Sequence, residues 1–375
     1  METIFHWISV VNAFVWGPPM MILLIGTGLW ITLGTRFVQV RQFIHAWRLT
    51  LTGVFRKQGD GQEEGDITPF QALMTAISAT VGNGNIAGVA TAIALGGPGA
   101  PVWMWLTGIV GMATKYAEAL AGVKYREHSP DGTMSGGPMY ALKNGLGLHW
   151  LGWVFALCGA IAAIGIGNLV QANSVALVFR TEFGVPIWIT GVGLAVLTWL
   201  VIIGGIKRIA TVAEVLVPVM CIVYFLGGLA IIIIKSAEIP EAFALIFQSA
   251  FNGHAAVGGF AGAGVAQAIR YGVARGIFSN EAGIGSAGIA HGAARTHSPA
   301  RQGNIAMLGV FIDTLIINTM TTLAIILTGS WSVGLTSTAL TAHAFTQVLG
   351  GLGGWIVALG SIAFGYSTLL TWSYY

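Results

Sequence analysis

Apolar residues run along this chain in long stretches that polar residues rarely interrupt. About 20 such residues cross the ~30 Å hydrocarbon core of a bilayer as a helix. On that scale the chain reads as membrane-spanning helices over Val10–Leu33, Gln71–Leu95, Val102–Val123, Leu151–Phe179, Ile187–Ile203, Ile209–Ile234, Val257–His291, Ile305–Thr328 and Leu352–Tyr374, numbered 1 to 9 in that order. Phe243–Ala256 and Thr338–Leu349 are shorter and more amphipathic, so they read as interfacial or re-entrant helices. A long basic loop, Arg36–Thr68, sets span 1 apart as an accessory helix.

Two spans break their own pattern. Span 2 contains TVGNGNIAG, Thr80 to Gly88, and span 7 contains FSNEAGIGSAG, Phe278 to Gly288. Unpaired backbone groups cost several kcal/mol each in hydrocarbon, so such segments must face protein, solute or ions. Glycine-broken helices at matching places in two halves point to a carrier's midplane site. Lys and Arg set the orientation. Arg36, Arg41, Arg48, Arg56, Lys57, Lys124, Arg126, Lys143, Lys207, Arg208, Arg295 and Arg301 fall in connections on one side; the other side carries Arg180 and Lys235. The first side is therefore expected to be cytoplasmic, with the N-terminus outside.

Span 2 then runs inward to outward and span 7 the reverse, which makes the halves an inverted repeat. The expected organisation is one transmembrane domain over 1–375, with an accessory helix (10–33), a five-helix first repeat (71–234) and a partial second repeat (257–375). Spans 7 to 9 supply three of the matching five helices, so a C-terminal truncation is expected.

Composition supports the membrane reading. Of 375 residues, 55% are hydrophobic and 8% charged, against about 25% charged in a soluble domain. The 13 Trp and 54 Gly fit a polytopic chain, because Trp marks interfaces and Gly is frequent in membrane helices. A net charge of +3 gives no ground for a nucleic-acid partner. Cys158 and Cys221 lie in apolar runs and read as small buried hydrophobes. Glu2 stands where a signal peptide carries basic residues, so a cleavable leader is not expected.

The chemistry lies at the breaks. Unwinding at Gly82, Asn83, Gly84 and Asn85 exposes a helix N-terminus that suits a carboxylate. The preceding carbonyls suit a cation. Thr80, Asn85 and Ser279 offer oxygens for a sodium shell made wholly of neutral donors. A glycine kink for close packing is the structural alternative. In the second break, Phe278, Ser279, Glu281 and Gly283 are candidates for the solute site. Glu281 is costly at mid-depth unless paired or protonated; Arg275 and Arg270 are its candidate partners, and it reads either as a gate or group near the substrate amine or as half of a fixed internal ion pair. Asn168 and Gln171 share a helix face and are read as solute-binding amides, with interhelical bonding as the alternative. Ser367 and Thr368 of FGYST offer hydroxyls to a second cation, or bond their own helix. Lys115 and Glu118 are expected to pair. Asp313 is a lone acid, either a proton relay or a structural group. His291 reads as a wet surface histidine. GIGSAG is not a dinucleotide site, since no strand precedes it, and no P-loop or nucleophile elbow is present.

These strings resemble the alanine or glycine:cation symporter family, the sodium:alanine symporters. The likeness is carried by ATVGNGNIAGVATAIALGGPGA (Ala79–Ala100), GMATKYAEALAGVKYRE (Gly111–Glu127), DGTMSGGPMYAL (Asp131–Leu142), GNLVQANS (Gly167–Ser174) and RGIFSNEAGIGSAGIAH (Arg275–His291). The resemblance implies a LeuT-type fold, with two inverted five-helix units and one extra N-terminal helix. It implies sodium-coupled symport of small neutral amino acids across the cell (inner) membrane into the cytoplasm by alternating access, with sodium as coupling ion and no other cofactor. By the same resemblance, the Asn83 and Gly84 amides receive the substrate carboxylate, and Thr80, Asn85 and Ser279 form one sodium site. The Ser78, Val81 and Phe364 carbonyls with Ser367 and Thr368 form the other. A proton-coupled carrier using Glu281 or Asp313, and an intramembrane enzyme or sensor, are the rival readings.

Overall fold

The computed structural model describes residues 6–7, 11, 14–55, 63–252 and 264–375. Its architecture is α-helical, with one two-stranded hairpin (β1, Glu127–His128; β2, Met134–Ser135) among the described residues. The helices are α1 (Pro18–Gly34), α2 (Phe43–Phe55), α3 (Pro69–Thr80), α4 (Gly84–Gly96), α5 (Ala100–Lys124), α6 (His149–Phe183), α7 (Ile187–Ile202), α8 (Gly205–Ile234), α9 (Ile239–Asn252), α10 (Val265–Asn280), α11 (Ser286–Gly292), α12 (Pro299–Leu327), α13 (Ser337–Leu349) and α14 (Gly351–Trp372). Short helical turns join several of them.

Four of these helices, α6, α8, α12 and α14, are each long and apolar enough to cross a membrane alone. The two broken spans appear as the pairs α3/α4 and α10/α11. Outer faces are apolar and exposed, with Trp30 at 78% and Trp153 at 80%. Soluble domains do not leave whole helical faces of this kind open, whereas lipid covers them.

Local sequence explains where α3 starts. Thr68 caps it: the Thr68 hydroxyl accepts from the Gln71 amide, the Gln71 side chain accepts from the Thr68 amide, and Pro69 fills the first turn. This reciprocal box satisfies donors that a helix end otherwise leaves open. Inside the bundle, α5 packs against α1, α10, α11 and α12, while α14 packs against α3, α6, α8 and α13. An apolar cluster joins Ile77, Val81 and Ile86 beside the first break to Tyr224 of α8, Phe345 of α13 and Phe364 of α14. Each break is thus held from several sides.

The loop expected over Arg36–Thr68 is partly helical. α2 packs Ala46, with Phe43 and Trp47, onto Met112, Met307 and Phe311. His45 and Arg48 interrupt its hydropathy, and its apolar face becomes visible only against α5 and α12. Arg56 and Lys57 lie outside the described residues, as do His254, the first residues of span 7 (257–263) and the end of the segment assigned to 243–256. The remainder of that segment belongs to α9.

Beneath the second break the connections are tied through backbone. The Arg126 guanidinium donates to the carbonyls of Glu64, Gly292, Ala294 and Thr296 at 2.6–3.1 Å. A parallel bridge joins Ile67 to Ala294. The entry to α3 and the exit from α11 are therefore one connected piece.

Candidate functional site

The first break opens because Val81 is extended (φ −76°, ψ 93°) after the last turn of α3. Its polar groups are largely accounted for. The Gly82 amide donates to Asn85 Oδ1 at 2.8 Å, and the Asn85 amide to the Gly82 carbonyl at 3.1 Å. The Asn83 amide and Asn83 Nδ2 both donate to Gln171 Oε1, at 3.3 and 3.2 Å. Asn83 Oδ1 accepts from Ser361 Oγ. The Asn83 amide, expected to receive a substrate carboxylate, is thus taken by Gln171.

The second break turns through left-handed residues: Glu281 (φ 56°), Gly283 (φ 96°) and Gly285 (φ 92°). Glycine adopts this region without steric cost. Glu281 does not, and its conformation is held by its neighbours. Its main-chain amide donates to the Ile277 carbonyl at 2.8 Å; Ala282 donates to Asn280 Oδ1 at 2.9 Å; Gly283 donates to Glu118 Oε1 at 2.6 Å. Helix α11 then restarts at Ser286.

The two breaks meet. Asn85 Nδ2 lies 3.1 Å from Ser279 Oγ, across 194 residues of sequence. The same nitrogen donates to Asp313 Oδ1 at 2.6 Å and Asn318 Oδ1 at 2.9 Å. Ser279 Oγ donates to the Asp313 carboxylate at 3.0 Å, and Thr314 Oγ1 at 2.7 Å. Thr321 Oγ1 donates to the Asn85 carbonyl at 2.8 Å, with Tyr224 hydroxyl 2.7 Å from Thr321 Oγ1. All these groups are buried. An amide carries two N–H hydrogens and one accepting oxygen. Asn85 uses its oxygen to close its own turn and turns both N–H bonds toward Asp313 and Asn318.

That geometry changes the first expected shell. Asn85 and Ser279 are neighbours, but Asn85 directs nitrogen rather than oxygen at the cluster. Asp313 brings a carboxylate where only neutral donors were expected. Thr80 Oγ1 bonds its own helix, to the Ala76 and Ile77 carbonyls at 3.3 and 3.2 Å.

The second expected shell gathers where α3 touches α14. Ser78 Oγ donates to the Ser367 carbonyl at 2.7 Å, and Ser367 Oγ and Thr368 Oγ1 each donate to the Phe364 carbonyl at 2.9 Å. Thr368 Oγ1 faces the Cα of Gly82, leaving no room there for a Cβ. The hydroxyls that bond their own helix are the structural alternative in its usual form, yet they line the same seam as Val81 and Gly82.

The remaining candidates separate. The Phe278 ring packs against Gly84, with the Arg275 guanidinium 5.6 Å from its centroid. Asn168 and Gln171 share a face but not a partner: Asn168 Oδ1 accepts from Ser373 Oγ at 3.1 Å. Lys115 Nζ lies 4.0 Å from Glu118 Oε2. The expected pairing of Glu281 with Arg275 or Arg270 does not occur. Glu281 Oε1 accepts from Trp372 Nε1 at 2.9 Å and Oε2 from Ser286 Oγ, while Lys115 Nζ reaches its carbonyl at 3.4 Å. Polar donors from two elements, α14 and α11, satisfy the carboxylate without an arginine. His291, expected at a wet surface, is fully buried, with Nδ1 2.7 Å from Gln302 Nε2; α11 turns it inward onto α12.

Sequence reasoning missed Asn318, Thr321, Ser361 and Trp372 as parts of the site. Asp313, Thr314, Asn318 and Thr321 are polar positions in the mostly apolar second half of α12, a signal that was present. Trp372 gave no such signal, since a tryptophan near a span's end reads as an interface marker. Gly167 allows its approach: a Cβ there would collide with the indole. A cavity of about 200 Å³ lies beside that indole, lined by Phe155, Cys158, Ala162, Ser286 and Tyr375.

A family profile described as the sodium:alanine symporter family matches residues 1–375. The sodium/alanine symporter AgcS of Methanococcus maripaludis is 49% identical over 98% of this chain and 81% of its own length. An uncharacterized transporter of Haemophilus influenzae is 47% identical over 100% of this chain and 81% of its own length. The probable sodium/glutamine symporter GlnT of Bacillus subtilis is 36% identical over 99% and 76%. With similarity running along its whole length, the chain belongs to the sodium:alanine symporter family, and it is a multi-pass membrane transporter rather than an enzyme.

Proposed function

We propose that this protein imports a small neutral amino acid, alanine or glycine, together with sodium by alternating access. The observation that carries this reading is the contact of Asn85 with Ser279, which joins two interrupted helices at one buried polar centre. Interrupted helices in a bundle present main-chain dipoles to a zwitterion and its driving ion. The substrate carboxylate would exchange with Gln171 at the Asn83 amide and extend to Gly84. The seam of Ser78, Val81, Phe364, Ser367 and Thr368 holds neutral oxygens suited to sodium. Thr80, Gly82, Asn168, Phe278, Ser279, Glu281 and Gly283 remain candidates for the solute cavity. The orientation proposed from Lys and Arg puts the N-terminus outside an inner membrane, with 71–234 and 257–375 as inverted units of one domain. Coupling is reciprocal, so sodium tightens amino-acid binding and the amino acid tightens sodium binding.

The test is radiolabelled alanine uptake into proteoliposomes with an inward sodium gradient, against choline at fixed pH. Uptake that needs sodium, and that Gly84→Val abolishes while Asn83→Ala only weakens, supports the reading. A second reading, proton coupling, is favoured by the burial of Asp313 at the junction. Uptake driven equally by a proton gradient in choline would select it.

A further inference from the structure

Arg270 stands in the second turn of α10 with its side chain exposed. Its guanidinium lies 6.0 Å from the Tyr271 ring centroid, and no ion pair to it occurs among the described residues. A guanidinium that faces lipid is costly unless it reaches the interface or meets an anion. Beside it, α1 and α10 enclose an apolar trough of about 720 Å³, lined by Trp16, Pro18, Ile22, Ile25, Leu29 and Val273. From Pro18 to Leu29 the trough runs about 16 Å at 1.5 Å per residue. That matches one leaflet of a ~30 Å hydrocarbon core. Gly26 lies in its wall, and a Cβ placed there would meet nothing within 4 Å, so the space is open.

We propose that this is a binding site for one anionic phospholipid, with an acyl chain in the trough and the phosphate on Arg270. Charge selects the occupant. Neither α1 nor α10 carries an acidic residue. A second copy docked by the same face would set arginine against arginine or against apolar α1, leaving the charge unmet. A lipid phosphate meets it, and the chain of the same molecule fills the trough. The site is separate from the breaks and does not depend on the transport reading.

The test uses the full chain purified in detergent and probed by native mass spectrometry and thermal melting. The probes are phosphatidylglycerol, phosphatidylcholine and inorganic phosphate. Phosphatidylglycerol is expected to be retained at least tenfold more than phosphatidylcholine. Arg270→Gln is expected to bring it to the phosphatidylcholine level, with Arg270→Lys between. Gly26→Leu, which fills the trough and leaves the charge, should also reduce retention while the lipid-free melt stays the same. Equal retention of the two lipids would overturn the proposal, as would retention unaffected by both Arg270→Gln and Gly26→Leu. So would a melt shift reproduced by phosphate alone, or a dimer that phosphatidylglycerol does not dissociate.

Discussion

Asn85→Asp tests the junction most directly. The substitution preserves volume and keeps an oxygen for the Gly82 amide at 2.8 Å. It replaces the N–H donor facing Asp313 Oδ1 at 2.6 Å with a second carboxylate oxygen. A hydrogen bond to a charged group, about 1.5–3 kcal/mol, is lost. With both groups ionised, Coulomb repulsion at that separation and an effective dielectric of ~20 is about 6 kcal/mol. Against a total stability of about 5–15 kcal/mol, a loss on this scale empties much of the folded population. Asn85→Ala removes the bond without adding charge, so it is expected to be milder. The charge-restoring pair Asn85→Asp with Asp313→Asn should recover about 3 kcal/mol or more relative to the sum of the single changes, a coupling that only touching groups show. The assay is tryptophan-monitored melting in detergent, with monodispersity by size exclusion. Strict additivity, or an Asn85→Asp protein that melts with the parent, would refute a shared contact.

The other expectations concern the supports of the site. Arg126→Lys keeps the charge but loses the planar fork that serves four carbonyls; it is expected to cost about 2–4 kcal/mol, and an unchanged melt would dismiss the tie. Trp372→Phe removes the donor to Glu281 Oε1 and is expected to cost about 1.5–3 kcal/mol; the same loss should vanish in a Glu281→Leu background. Outside the membrane, Lys143 and Asn144 hydrogen-bond the Glu127 carboxylate and hold its pKa below the ordinary glutamate range. A depressed carboxylate contributes stability that is present above its unfolded pKa of ~4.3 and is lost as pH falls through the lower folded value. The pair is solvent-accessible, so the contribution is expected below about 1 kcal/mol; a Lys143→Met protein whose acid melt matches the parent at neutral pH as well as at low pH would argue against it.

The sequence by itself determined the helical membrane class, the run of apolar helices and the two interruptions. Each follows from a local rule: hydrocarbon needs about 20 apolar residues per crossing, and glycine with asparagine marks where such a helix gives way. It could not show which side chains meet at the interruptions. Asp313 and Asn318 are more than 220 residues from Asn85, and only the packing of α12 against both breaks brings them to it. Glu281 illustrates the same limit. Its chain neighbours suggested an arginine, but its carboxylate accepts from nearby Ser286 and from Trp372, 91 residues away. His291 looked wet because it stands near a span's end, and the inward turn of α11 buried it. Periodicity and hydropathy record what one helix asks of its surroundings. Which polar group answers is decided by helix crossings, because burial makes every unpaired donor costly and the fold must find it a partner wherever in the chain that partner lies.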